Sequence, residues 1–112
     1  MPPTPGQRIA RDRTRLLAFP RPDRRAVVVG GGLLAARRAA ALTRARTPVT
    51  VFAPHLCDDV FDLLAERLVT WEDRWPDLAD LRDAWLVHAA SGDAQVDARV
   101  CALAAAWQAR AS

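Results

Sequence analysis

The chain has 112 residues, of which 51% are apolar, 26% charged and 6% aromatic, with a formal net charge of +3. A chain of this length forms one domain with a small core and leaves no room for a second domain. Its apolar runs are much shorter than the roughly 18 residues that a membrane helix needs, and its N-terminus has no apolar signal segment. We therefore expect a soluble, cytoplasmic protein without membrane contact.

The basic charge is concentrated at the N-terminus. Residues 1–25 carry seven arginines against Asp12 and Asp23, whereas the rest of the chain carries nine arginines against eleven acidic residues. Arginine- and proline-rich segments of this kind usually remain solvated rather than packed. We predict that residues 1–15 form a basic, disordered leader and not a nucleic-acid-binding arm, and that residues 16–112 form the folded domain.

Short apolar runs alternate with helical segments through the predicted domain. After an apolar lead-in at Leu16, Leu17 and Phe19, which we expect at the domain edge, strands are predicted at residues 26–29, 49–52, 68–71 and 84–90. Helices are predicted at residues 33–46, 57–67, 77–83 and 94–110. Strands without polar alternation are typical of a sheet buried on both faces. The order predicts a three-layer α/β/α fold with a mainly parallel sheet of about four strands.

Three consecutive glycines, Gly30, Gly31 and Gly32, follow the first apolar strand and open a helix. With Ala35 they match the pattern G-x-G-x-x-A in the strand-turn-helix setting that dinucleotide-binding folds require. In that pattern Gly30 permits the tight turn, Gly32 lets a diphosphate approach the main chain, and Ala35 allows close packing of the helix on the sheet. The motif predicts a Rossmann-like dinucleotide-binding domain.

The segment that follows the second predicted strand lacks the acidic residue that usually holds the ribose hydroxyls of a dinucleotide. It reads Phe52, Ala53, Pro54 and His55, so ribose recognition would fall to main-chain groups or to His55. The same segment has no arginine to favour a 2′-phosphate. NAD is the predicted cofactor, and NADP is left open.

Other chemistry-bearing residues show no recognisable arrangement. His55, Cys57 and His88 do not have the spacing of a metal site, so no metal is expected. We expect His88 to be packed within its strand. No nucleophile and base are arranged as a catalytic set, and the catalytic residues remain unassigned.

Four stretches of the sequence carry a more specific pattern than the glycines alone. They read AVVVGGGLLAARR at 26–38, VTVFAPHL at 49–56, LADLRDAWLVHAA at 78–90 and SGDAQVDARV at 91–100. In order and spacing they resemble the precorrin-2 dehydrogenase domain of siroheme synthases, over roughly residues 16–110. The resemblance implies a cytoplasmic protein of siroheme biosynthesis that uses NAD to oxidise precorrin-2, a tetrapyrrole, to sirohydrochlorin.

The resemblance also implies where the cofactor would bind. By position, the contacts would fall on the glycine turn and the start of its helix, on the segment after the second strand, and on the end of the fourth strand. The residues concerned are Gly30, Gly31, Gly32, Leu33, Leu34, Ala53, Pro54, His55, Ala90 and Ser91.

The resemblance implies one further strand, bearing a catalytic aspartate, and a helical dimerisation region, and this sequence ends before both. On that basis we expect a cofactor half that is inactive by itself. An alternative interpretation is a non-catalytic nucleotide-binding or dimerisation module, forming a homodimer through an unpaired sheet edge beside residues 84–90.

Overall fold

The computed structural model describes residues 15–18, 25–82 and 84–111, with side chains at 25–82 and 84–107. The strands in this part of the chain are β1 (Arg15–Ala18), β2 (Ala26–Val29), β3 (Val49–Phe52), β4 (Val69–Glu72) and β5 (Leu86–Ala89). The helices are α1 (Leu33–Arg44), α2 (Asp58–Ala65), α3 (Leu78–Arg82) and α4 (Ala94–Ala111). Residues 1–14 of the predicted leader and Phe19 of the lead-in lie outside the described residues.

The strands form one sheet in the order β1-β5-β2-β3-β4. β2 lies at its centre, parallel to β3 on one side and to β5 on the other, with Val28 in register with both Val51 and His88. β4 extends the parallel set beyond β3. The four parallel strands confirm the predicted fold class, and His88, only 3% exposed, is packed within its strand as expected.

One strand was not predicted. The lead-in that contains Leu16 and Leu17 forms β1, which pairs antiparallel with β5, so that Arg15 lies opposite Ala89 and Ala18 opposite Leu86. An antiparallel edge strand on an otherwise parallel sheet is a common arrangement. The segment RLLA has only two large apolar residues, and its pairing joins distant parts of the chain, so the local pattern did not reveal it.

The presence of β1 corrects the expected dimerisation edge. β5 is hydrogen-bonded to β2 on one side and to β1 on the other, so its edge is already paired within the chain. A homodimer formed by adding a strand beside β5 is therefore not compatible with this fold.

Helices cover both faces of the sheet, as the three-layer prediction requires. On one face α1 and α2 pack against Val28 and Val51, and on the other α3 and α4 pack against Val27 and Val87. All four valines are fully buried. The central strand β2, which reads AVVV, is therefore apolar throughout because both of its faces meet helices.

The first two helices end about two residues before their predicted ends. Arg46 and Arg67 follow them with φ values of 60° and 61°, the left-handed conformation that commonly terminates a helix. After α1, the amide of Thr47 donates to the carbonyl of Leu42 at 3.0 Å, which satisfies a carbonyl that the helix leaves free. Glycine is the residue that usually marks such a helix end in a sequence, and here the position is occupied by arginine. The sequence pattern therefore predicts both helices as longer than they are.

The short helix α3 is fixed by a hydrogen-bonded turn at its start. The amide of Asp77 donates to Asp80 Oδ2 at 2.8 Å, and the amide of Asp80 donates back to Asp77 Oδ1 at 3.1 Å. Arg74 donates to both carboxylate oxygens of Asp80, at 2.6 and 2.8 Å. These hydrogen bonds, foremost those of Arg74, lower the pKa of Asp80 from 3.8 to about 2. The turn places Leu81 fully buried beneath the sheet.

Candidate cofactor site at the carboxyl edge of the sheet

The strands β2, β3 and β5 end side by side at one edge of the sheet. The chain leaves β2 toward β3 on one side and returns through α3 to β5 on the other, so the direction of strand order changes at β2. In open α/β sheets, ligands bind in the crevice outside the carboxyl ends of the strands at such a switch point. The glycine turn lies directly at this point.

Gly30 occupies a position that only glycine fits. Its φ is +138°, and a Cβ added there would collide with the carbonyl group of Ala90 and lie 3.0 Å from Cα of Ser91. Its amide donates to the carbonyl of Phe52 at 2.9 Å, while the amide of Ala90 donates to the carbonyl of Val29 at 2.8 Å. Gly30 therefore lets the main chains after β2 and β5 pack directly against each other.

Gly31 makes the corresponding approach on the β3 side. A Cβ at Gly31 would collide with the carbonyl oxygen of His55 and lie 3.1 Å from Cβ of Ala53. The carbonyl of Gly31 accepts a hydrogen bond of 2.7 Å from the amide of Cys57. The glycine turn is thus fixed between the loop after β3 and the loop after β5.

Gly32 has surroundings of the opposite kind. It is exposed, and an added Cβ would meet no atom within 4 Å. Its backbone is extended, with φ of −90° and ψ of −170°, a conformation open to any residue. The missing Cβ is therefore not explained by packing or by backbone strain, and it leaves open space above the main chain.

The start of α1 supplies hydrogen-bond donors beside that space. Gly32 is the N-cap and has no side chain to cap the helix, and the first turn contains no acidic residue. Its carbonyl accepts the first helical hydrogen bond from Ala36 at 3.0 Å, so the amides of Leu33, Leu34 and Ala35 precede the helical ladder. These amides and the helix dipole favour an anion. The bare main chain and the donors fit the diphosphate of a dinucleotide.

The side chains of the first turn divide between core and solvent. Ala35 is 1% exposed and packs in the same buried cluster as Val28, which brings α1 close to the sheet as the motif predicts. Leu34 is half-buried against this cluster, whereas Leu33 is 51% exposed. Leu34 can therefore offer a ligand its amide, and Leu33 can offer both its amide and its side chain.

The loop after β3 is fixed by contacts that the sequence did not reveal. Ala53 is buried, its amide donates to the carbonyl of Glu72 at 3.1 Å, and its carbonyl accepts from Nε1 of Trp71 at 2.8 Å. Pro54 and His55, which follow it, are exposed. The predicted ribose-binding segment is thus anchored at one end by β4 and open to solvent at the other.

The loop after β5 is anchored by the first turns of α4. Ser91 Oγ donates to Asp97 Oδ1 at 2.7 Å, and the amide of Ser91 donates to the same oxygen at 3.1 Å. Asp93 Oδ1 accepts from the amides of Gln95 and Val96, at 2.9 and 3.3 Å, and so caps the helix. Sequence reasoning missed the role of Asp97, although an acidic residue six positions after a predicted contact was visible.

The predicted cofactor contacts therefore lie at one edge of the sheet, in two groups that the glycine turn joins. Gly31 contacts the loop after β3, and Gly30 contacts the loop after β5. Within the described residues, no group of three or more His, Cys, Asp and Glu side chains could hold a metal ion. No helix in this part of the chain is long and apolar enough to cross a membrane.

Comparison with known proteins agrees with this geometry. The family model NAD_binding_7, described as "Putative NAD(P)-binding", matches residues 17–111, and the chain belongs to this family. Among solved structures, it is similar to "SirC, precorrin-2 dehydrogenase", with 25% sequence identity and a TM-score of 0.65. That match covers 70% of this chain and 40% of the SirC chain, so this chain spans less than half of that protein. No curated protein matches the chain.

The different surroundings of Gly31 and Gly32 predict different costs of substitution. Gly31→Ala should lower the free energy of unfolding by about 3 kcal/mol, in the upper range for an overpacked site, because its Cβ meets main-chain atoms that cannot move aside. Gly32→Ala should cost less than about 1 kcal/mol, because only a helix N-cap is changed. Urea denaturation of the two variants measures both values. Equal losses would contradict the open space at Gly32.

Proposed function

We propose that this chain binds NAD(P) with the diphosphate over Gly32 and the N-terminus of α1. The observation that carries the proposal is the contrast within the glycine turn. Gly30 and Gly31 lack a Cβ because neighbouring main chain occupies its place, whereas the space at Gly32 is open. Membership of an NAD(P)-binding family supports the same position.

The two groups of predicted contacts would hold the two ends of the cofactor. β3 and β5 lie on opposite sides of β2, so a ligand centred on the glycine turn extends over the loop after β3 at one end and the loop after β5 at the other. We assign the adenosine end to Ala53, Pro54 and His55. The nicotinamide end falls to Ala90 and Ser91.

Few side chains near the expected ribose position could distinguish NAD from NADP. Residues 52–57 contain neither an acid that would accept hydrogen bonds from both ribose hydroxyls nor an arginine that would bind a 2′-phosphate. The exposed His55 is the polar side chain in this segment that is placed for the task. We propose NAD as the cofactor and expect that the same site can also bind NADP.

Substitution of Gly32 tests the position of the diphosphate. Gly32→Asp should weaken NAD⁺ binding about tenfold or more, because the side chain fills the space and adds a negative charge beside the phosphates. Aspartate is also a favourable N-cap, so the variant should fold at least as stably as the parent. Isothermal titration calorimetry measures the Kd, and thermal denaturation measures stability.

Gly32→Asn is the matched control for the added charge. It places a side chain of the same shape in the same space, so it should weaken binding by less than Gly32→Asp. A folded Gly32→Asp variant that binds NAD⁺ as tightly as the parent would contradict the proposed position. If the unsubstituted chain binds neither NAD⁺ nor NADP⁺ at millimolar concentration, the proposed function is wrong.

We further propose that the chain acts as a precorrin-2 dehydrogenase-like domain of siroheme biosynthesis. Similarity to SirC, whose printed name is precorrin-2 dehydrogenase, and the four sequence stretches support this substrate class. When bound, NAD(P) would supply the hydride acceptor for the oxidation of precorrin-2 to sirohydrochlorin, which also releases a proton. Because the match covers 40% of SirC, the contribution proposed for these residues is to bind and orient the cofactor.

A spectroscopic assay tests this finer proposal separately from cofactor binding. Precorrin-2 and NAD⁺ are mixed with the full chain, and the absorbance of sirohydrochlorin and of NADH is followed over time. A domain that is active by itself should form both products in equal amounts, and more slowly with Gly32→Asp. If the chain binds NAD⁺ but forms neither product above the rate without protein, it is a nucleotide-binding module and not a dehydrogenase by itself.

A further inference from the structure

The loop after β5 is anchored by a negatively charged side chain of α4 that cofactor binding alone does not require. Asp97 lies in α4, and its Oδ1 accepts both the hydroxyl and the amide hydrogen of Ser91. Ser91 in turn lies against Gly30, where its Cα would be 3.0 Å from an added Cβ. Two hydrogen bonds therefore hold the carboxylate beside the switch point of the sheet.

Within the part of the chain whose side chains are described, the contacts of the Asp97 carboxylate are hydrogen bonds. The residue is half-buried, and it forms no ion pair with any side chain that the structure describes. The other acidic residue in the segment 89–98, Asp93, uses its carboxylate to cap α4. Of the nearby arginines, Arg99 is exposed on α4, and Arg15 lies opposite Ala89 in the sheet. The end of the site at Ser91 therefore contains a carboxylate that hydrogen bonds hold in place.

We propose that Asp97 makes this end of the site favour the oxidised cofactor over the reduced one, an inference that rests on the proposed function. The nicotinamide ring carries one positive charge when oxidised and none when reduced, while the rest of the dinucleotide is unchanged. A fixed carboxylate interacts differently with the two forms, and a site can discriminate between two states only through such a difference. Asp97 acts here as a specificity-determining residue and not as a proton donor or acceptor.

Separate titrations of the full chain with NAD⁺ and with NADH test this inference. Asp97→Asn removes the charge and keeps an oxygen that can accept from Ser91. It should raise the Kd for NAD⁺ about fivefold, the size of a solvated charge–charge interaction, and change the Kd for NADH less than about twofold. Calorimetry gives the first constant, and NADH fluorescence gives the second.

Asp62→Asn is the matched control for net charge. Asp62 is exposed on α2 and makes no side-chain hydrogen bond with a described residue, so its substitution should leave both constants unchanged. Ser91→Ala removes the hydroxyl and keeps the charge. It should change the ratio of the two constants less than Asp97→Asn does, because the charge and the hydrogen bond from the Ser91 amide remain.

Salt dependence of the unsubstituted chain gives an independent measurement if Asp97→Asn does not fold. The ratio of the two Kd values should approach one as salt rises to about 0.5 M, since screening weakens the charge difference and affects the shared phosphates equally. A salt-independent ratio, or an Asp97→Asn variant with both constants changed equally or not at all, would overturn the inference while leaving the proposed function intact. Failure of the unsubstituted chain to bind either form would overturn both.

Discussion

The close approach of three main-chain segments at Gly30 and Gly31 is the constraint on which the rest of this structure depends. Each glycine replaces a side chain that would collide with a carbonyl group of a neighbouring loop. The amide of Cys57 donates to the carbonyl of Gly31 on the β3 side, and the amide of Ala90 donates to the carbonyl of Val29 on the β5 side. The turn after the central strand is therefore rigid, although it contains three consecutive residues with the greatest intrinsic backbone freedom.

This rigidity determines what the carboxyl edge of the sheet can bind. A fixed turn holds the start of α1 in one orientation, so that its first amides and the positive end of its dipole face the space above Gly32. Two loops that differ in chemistry flank this space. The loop after β3 offers exposed Pro54 and His55, and the loop after β5 offers Ser91, which is anchored by a carboxylate. An elongated anion with two different ends matches this arrangement.

Local sequence patterns predicted much of this fold. The strands are visible as short runs rich in apolar residues because most of the sheet is buried on both faces. The glycine turn and the helices are visible because each is marked by its own local pattern. Pairing between distant residues left no such signal. β1 pairs with β5, which is distant in sequence, and the hydrogen bond from Trp71 to Ala53 joins β4 to the loop after β3. The sequence showed three glycines in a row. Only the packed structure shows that Gly30 and Gly31 lie in crowded positions, whereas Gly32 lies beside open space. The hydrogen bond between Asp97 and Ser91 likewise depends on the geometry of the loop and could not be read from the sequence.

The central claim concerns particular main-chain amides, so nuclear magnetic resonance of the ¹⁵N-labelled chain tests it most directly. On titration with NAD⁺, the account predicts that the amide signals of Gly32, Leu33 and Leu34 show the largest chemical-shift changes, with smaller changes at His55 and Ser91. Saturable binding of NAD⁺ that leaves the signals of Gly32 and Leu33 in place, and shifts those of another surface instead, would contradict it.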